Sequence, residues 1–418
     1  MSRDEESYPE GGSQAWLVVS GSFIGAFMSL GTVSSIGIFH AYLNEHQLEG
    51  YSESLVGWIF SIYIFLTFFC GVQVGPTFDT YGPTFLMLAG GICMSSSMLL
   101  LGVCTKYWHF ALTFGILNGV GTSLVVTPAF AVIGHYFYKK RGIATGIAAA
   151  GGSLGGIVFP LMLKRLFANI GFVWATRIMR FLFIFCTIIT IILVRSRLPP
   201  KPGQSAVPDL RILKYKAYIL LTVSIYFMEW ALFVPITYLA TFATSTGLLS
   251  SAISFEFVAI LNAGSCLGRC VSGYVADKFG RFNSMAAALA LCAATTVTLW
   301  IPISALGPSS GNAENIKALV ITYSLVFGLA SGSNISLTPV CVGQLCDTNS
   351  YGRYYATCYT VVSFGTLTGI PIAGALIQAA GGGYWGVGVW TFICYVVSLG
   401  CCLWSRASQV GWKLGVKV

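Results

Sequence analysis

Two features of this chain have residue types and spacing suited to chemistry. The skeleton G-x-x-x-D-x-x-G occurs twice, as "GPTFDTYGP" with Gly75, Asp79 and Gly82, and as "GYVADKFGR" with Gly273, Asp277 and Gly280. A carboxylate on such a turn can cap a helix or stand as a solvated charge. The other feature is a pair of ionisable residues in apolar sequence, Glu229 in "IYFMEWALFVP" and Arg269 in "SCLGRCVSG". A guanidinium in that setting can clasp a carboxylate through two parallel hydrogen bonds or form an internal pair. The carboxyl of Glu229 could carry a proton, bind a cationic or hydroxylated solute, or hydrogen-bond a neighbouring helix. Asn118, Asn262, Asn334 and Tyr226 are uncharged candidates for lining the same path, or for joining helices. Enzymatic sets are missing. The four histidines (His40, His46, His109, His135) are scattered. There is no H-E-x-x-H, no paired C-x-x-C metal site and no G-x-x-x-x-G-K-[ST] loop. The expectation is no enzyme, no metal, no cofactor and no ATP.

The elements that must hold these residues are membrane helices. With 56% hydrophobic and 9% charged residues, the chain lacks the polar surface a soluble protein needs. About 20 apolar residues cross roughly 30 Å of hydrocarbon. Twelve such runs are expected, at 15–39, 54–75, 84–104, 108–132, 142–163, 172–194, 216–242, 252–275, 283–304, 317–341, 354–379 and 386–405. The fold class is an all-α polytopic membrane protein; alternating β-barrel patterning is absent. The 48 glycines suit helices that pack backbone to backbone in lipid. Thirteen cysteines, nearly all in apolar runs, read as free thiols. The first residues are acidic and polar, so the first span is expected to stay attached rather than be removed as a leader.

Charge predicts orientation. With the N-terminus inside, sixteen Lys and Arg fall on the cytoplasmic side and four (Lys106, Lys164, Arg165, Lys317) on the other, which puts both termini in the cytoplasm. Arg177 and Arg180 open the sixth span and can snorkel. The basic residues are spread over loops, not gathered on a soluble face, so nucleic acid is excluded as a partner. The segment 195–215, rich in Pro and basic residues, reads as a linker. The expected divisions are a tail at 1–14, a six-helix bundle at 15–194, the linker, a second bundle at 216–405 and a tail at 406–418.

The two halves carry the same landmarks. Asp79 and Asp277 are 198 residues apart, each between the second and third spans of its half. Gly121 precedes Thr127-Pro128 by six residues, as Gly332 precedes Thr338-Pro339. After each proline come a basic boundary, "KKRG" or "YGR", and a glycine-rich helix with Pro160 or Pro371 near its far end. Two pseudo-symmetric bundles follow, a plan recurrent in secondary transporters.

On these landmarks the chain resembles the major facilitator superfamily, whose loop between the second and third spans of each half carries glycine, aspartate, glycine and arginine. The C-terminal copy, with Asp277, Lys278, Gly280 and Arg281, is nearly complete; the N-terminal copy has Thr80 and Pro83 where the basic residues would stand. More narrowly, "PEGGSQAW", "YFYKKRGIATGIAAAGGSLGG" and "ILNAGSCLGRCVSGYVADKFGRFN" are similar to the fungal branch of the monocarboxylate porter family. The resemblance implies secondary transport of a small organic solute by alternating access, a monocarboxylate, another organic acid or a secondary metabolite, with protons as a candidate partner alongside membrane lipid. It implies that Asp79 and Asp277 gate the cytoplasmic mouth by packing on the glycine-rich helix opposite, Asp277 facing Arg141 and Asp79 facing Arg353. It also implies that Arg269 matches the arginine that helps bind the substrate carboxylate. Two charges of the animal relatives are missing: their lysine and aspartate positions are Ser34 and Ser265 here. The lactate mechanism therefore does not transfer intact, and Glu229 is the one midplane acid left for proton coupling. The plasma membrane is the expected location. A sensor that kept the fold without transport is the alternative.

Overall fold

The computed structural model describes residues 8–51, 53–198, 210–245, 251–305, 313–347, 350–412 and 416. Among them it is helical throughout, with no strand. Span 1 is Ser13–Ser34, continued past Ser35 by Ile36–Glu45, and span 2 is Glu53–Phe69 and Gly71–Tyr81, joined at Cys70. Span 3 is Thr84–Leu101 and span 4 is Tyr107–His135. A single 53-residue helix, Arg141–Leu193, holds spans 5 (141–170) and 6 (172–193), which part at Gly171, where φ is 77°. Spans 7 to 12 are Lys216–Ser245, Ser251–Phe279, Arg281–Ser304, Ala313–Val342, Tyr351–Ala379 and Trp385–Val410.

Ten helices among the described residues are long and apolar enough to cross a membrane. The 53-residue helix supplies two of the expected twelve crossings. Ser251–Phe279 completes the set; its 29 residues include Glu256, Arg269, Asp277 and Lys278, which dilute its apolar character. The linker expected at 195–215 lies mostly outside the described residues. All thirteen cysteines are free.

Large apolar side chains such as Phe85, Ile92, Phe181, Phe185, Leu267 and Val271 are exposed on the spans, as a lipid-facing belt requires. Inside, one apolar core fills the N-terminal bundle around Phe39, Phe60, Phe114 and Phe159. The larger core fills the C-terminal bundle around Trp300 and Phe327 and runs without interruption across the seam to Phe78, Phe130 and Ala144.

In one respect the helices depart from expectation. Spans 2 and 8 do not end before their aspartates but run through them, to Tyr81 and Phe279. Asp79 and Asp277 therefore sit in the last helical turn, not on the loop. The reversal comes after them at Gly82 and Gly280, whose φ values of 82° and 107° belong to the region that glycine enters without steric cost.

Candidate functional site

Spans 5 and 11 begin without a side-chain cap of their own, leaving first-turn amides unsatisfied. The opposite half supplies the cap. Asp277 Oδ1 accepts from the Gly142 amide at 2.8 Å and Oδ2 from the Ile143 amide at 2.9 Å. Asp79 does the same for span 11, accepting from the Gly352 amide at 3.2 Å and the Arg353 amide at 3.0 Å. A carboxylate at a helix N-terminus gains both hydrogen bonds and the favourable end of the dipole. The first glycine of each skeleton makes this approach possible. A Cβ at Gly273 would strike the Gly142 carbonyl, and one at Gly75 the Gly352 carbonyl. The three residues of the skeleton thus divide the work between them: the first glycine allows close approach, the aspartate caps across the seam, and the second glycine reverses the chain.

Around these caps stand the cations expected to face the aspartates. Arg141, buried, extends past the cap; its Nη1 donates to the Gly343 carbonyl at 3.3 Å and its guanidinium lies 4.0 Å over the Tyr351 ring. Arg281 donates to the Tyr138 carbonyl at 2.5 Å and covers that ring at 5.3 Å. Arg353 contributes its main-chain amide to the cap. Lys278 is exposed, over the neighbouring Phe279 ring. Because Arg141 connects the start of span 5 to that of span 11, both caps lie at the same end of the bundle, the motif end.

A residue without a role in the sequence motifs holds this end together. Glu10 accepts from the amides of Tyr138, Lys139 and Lys140 at 2.9, 2.6 and 3.0 Å, with its own φ at 50°. The "PEGG" segment that carries part of the resemblance was the available signal. It clips the turn that carries both the Arg281 acceptor and the start of span 5.

Deeper in the seam lies a cavity walled by spans 1, 2 and 4 of one half and 7, 8, 10 and 11 of the other. Arg269, Glu229 and Asn262 all line it, together with Ser34 and Ser265. Arg269 is buried and donates through Nη1 to the Ala149 carbonyl of span 5; among the described residues its Nε has no partner. Glu229 is 2% exposed, and among the described residues its carboxyl group makes no hydrogen bond. Asn262 donates to Val258 within its own helix at 3.0 Å, while its Oδ1 lies against Gly156. Ser265 joins Ser153 of span 5 at 3.1 Å. The glycines of span 5 permit this depth of contact: a Cβ at Gly146 would strike the Arg269 carbonyl.

Three of the expected path residues are elsewhere. Asn118 is fully buried in the N-terminal bundle, with both side-chain amide atoms unpartnered among the described residues. It ends a π-helical stretch, Ala111–Asn118, whose wider turn changes the face a residue presents. Asn334 donates to the Cys292 sulfur at 3.4 Å, inside the C-terminal bundle. Tyr226 packs on Trp230 and over Gly365 of span 11. In their place stand Tyr355 and Tyr359, with ring centroids 4.8 Å apart. With Tyr351 they recur every four residues, which marks one helix face and was legible. Arg177 and Arg180 lie beside the exposed Trp174 and Phe181 rings, away from the cavity.

A family model described as Major Facilitator Superfamily matches residues 15–310 and 219–415. The chain is 36% identical to the riboflavin transporter MCH5 of Saccharomyces cerevisiae over 98% of this chain and 81% of that one. It is 34% identical to the aspyridones efflux protein apdF of Emericella nidulans over 91% of this chain and 75% of that one. Among solved structures, the human organic anion transporter MFSD10 superposes with a TM-score of 0.72 at 14% identity, covering 93% of this chain and 99% of that one. The two sequence relatives are fungal transporters, and they do not single out monocarboxylate porters.

Proposed function

Since the chain belongs to the Major Facilitator Superfamily and is a membrane transporter of a small molecule, we propose that its cargo is an organic acid, moved together with a proton by alternating access. The observation that carries this reading is one cavity at the seam holding two buried, opposite charges, Arg269 and Glu229, with the carboxyl group of Glu229 free of any hydrogen bond among the described residues.

Charge in hydrocarbon decides the coupling. With the cavity empty, Arg269 and an ionised Glu229 sum to zero. Adding a carboxylate brings the sum to −1, which is costly in a low-dielectric seam. Protonating Glu229 returns it to zero. The halves therefore change place either empty with Glu229 ionised, or loaded with Glu229 protonated, and acid and proton travel as one. The guanidinium keeps donors for the acid beyond the one held by Ala149.

With both termini on the cytoplasmic face, as the loop charges support, the capped motif end is the cytoplasmic mouth in its closed form. The plasma membrane is the proposed location. The monocarboxylate-porter assignment rests on the sequence motifs and on Arg269, and Ser34 and Ser265 set it apart from the lactate carriers.

The test is uptake of organic acids into proteoliposomes with and without an inward proton gradient. The gradient should drive accumulation, and Glu229→Gln should abolish accumulation while leaving acid-for-acid exchange, since its loaded cavity stays neutral. Accumulation by Glu229→Gln equal to that of the parent would remove Glu229 from the coupling.

A further inference from the structure

The walls of the cavity are not alike. The N-terminal half contributes Leu30, Val33, Ser34, Phe68, Val126 and Phe130, in which one hydroxyl is the sole polar group. The C-terminal half contributes both charges, the Asn262 amide and the Tyr355 and Tyr359 phenols, besides apolar residues of its own. Two details sharpen the asymmetry. The N-terminal wall carries no charge, Ser34 being its one polar residue. Asn118, the polar residue of span 4 best placed by sequence to restore polarity, is buried within its own bundle.

We propose that the solute is an amphipathic organic acid that lies across the cavity with its polar head on the C-terminal half and its apolar body on the N-terminal half. The assignment rests on the reading of the cavity as an acid site. A head turned to Phe68, Val126 and Phe130 would forfeit its hydrogen bonds with water and gain none. An apolar body on those side chains gains by leaving water. Small acids with polar groups all round, such as hydroxylated or dicarboxylic ones, would leave groups unpaired against the N-terminal wall and are disfavoured. The roles divide accordingly: Arg269, Tyr355 and Tyr359 select the head, and Phe68, Val126 and Phe130 select the body.

The experiment is equilibrium dialysis of radiolabelled straight-chain monocarboxylic acids, acetate to decanoate, and their methyl esters against the full chain in nanodiscs, with empty nanodiscs as the blank. Affinity should climb about fourfold for each added methylene until the cavity is full, and each acid should bind better than its ester. Phe130→Ala and Val126→Ser should each flatten the climb and leave the acid-to-ester ratio. Tyr359→Phe should shrink that ratio about fivefold, the weight of one hydrogen bond, and leave the climb. A flat dependence on chain length, no binding by any acid, or Phe130→Ala and Tyr359→Phe moving the same quantity would overturn the proposal. Flux of the tightest binder in proteoliposomes separates the two readings. A steep climb without flux sinks acid transport alone, and flux of short acids with no climb sinks the two-faced cavity alone.

Discussion

The two copies of the motif perform one operation with different reinforcement. Asp79 and Asp277 each cap the second and third amides of a helix in the opposite half, and each depends on a glycine four residues earlier for backbone contact. The C-terminal copy has shorter bonds, and four residues beyond Asp277 Arg281 reaches the Tyr138 carbonyl, on a turn that Glu10 clips in place. The N-terminal copy has Pro83 at the position of Arg281 and cannot make that bond. The shared part is the geometry that lets two helices meet end to flank; the divergent part is Arg281 against Pro83. We propose the Asp277 seam as the main latch and the Asp79 seam as its weaker counterpart.

Substitutions can break or sharpen this comparison. The largest effect belongs to Gly273→Ala and Gly75→Ala, because an added Cβ meets a main-chain carbonyl that has no room to yield, and overpacking costs about 1–3 kcal/mol. Both should cut uptake rates in proteoliposomes by roughly tenfold or more, and to similar degrees, since the glycines are equivalent even where the aspartates are not. Next is Asp277→Asn, which gives up the charge from two hydrogen bonds and the dipole, and is expected to slow turnover on the order of tenfold. Asp79→Asn should follow at about threefold, its bonds being longer; a larger loss than at Asp277 would reverse the ranking of the two seams. Arg141→Lys keeps the charge but loses the planar stacking on Tyr351, and should cost about two- to fivefold in the same assay. Least is Lys278→Ala, where an exposed side chain is removed and the rate should hold within about twofold.

Much of the fold could be read from the chain because lipid imposes long apolar runs, and the repeat because Asp79 and Asp277 recur at matching places. Arg269, Glu229 and Asn262 could be placed at depth because a charge or amide in hydrocarbon needs a cavity or a partner. Position along a helix does not reveal which way a side chain turns, which is why Asn118 and Asn334 lie inside their own bundles. The π-helical stretch before Asn118 is a hydrogen-bonding choice that periodicity does not encode. The residue types offered helix capping as a role for the aspartates but not which amides they meet: every residue but proline has one, so the partner is set by where a helix happens to begin. Tyr355 and Tyr359 carried a legible four-residue spacing, but aromatic residues are so common in membrane helices that the spacing did not stand out.

The central claim is that the halves part at the motif end when the Asp277 cap is released. Spin labels at Lys140→Cys and Lys278→Cys, exposed residues on either side of that seam, report it as a distance distribution. A short distance should dominate without solute. Solute should add a longer population, and Asp277→Asn should populate the longer distance with no solute present. A distribution that stays the same in all three conditions, in protein that still transports, would contradict the account.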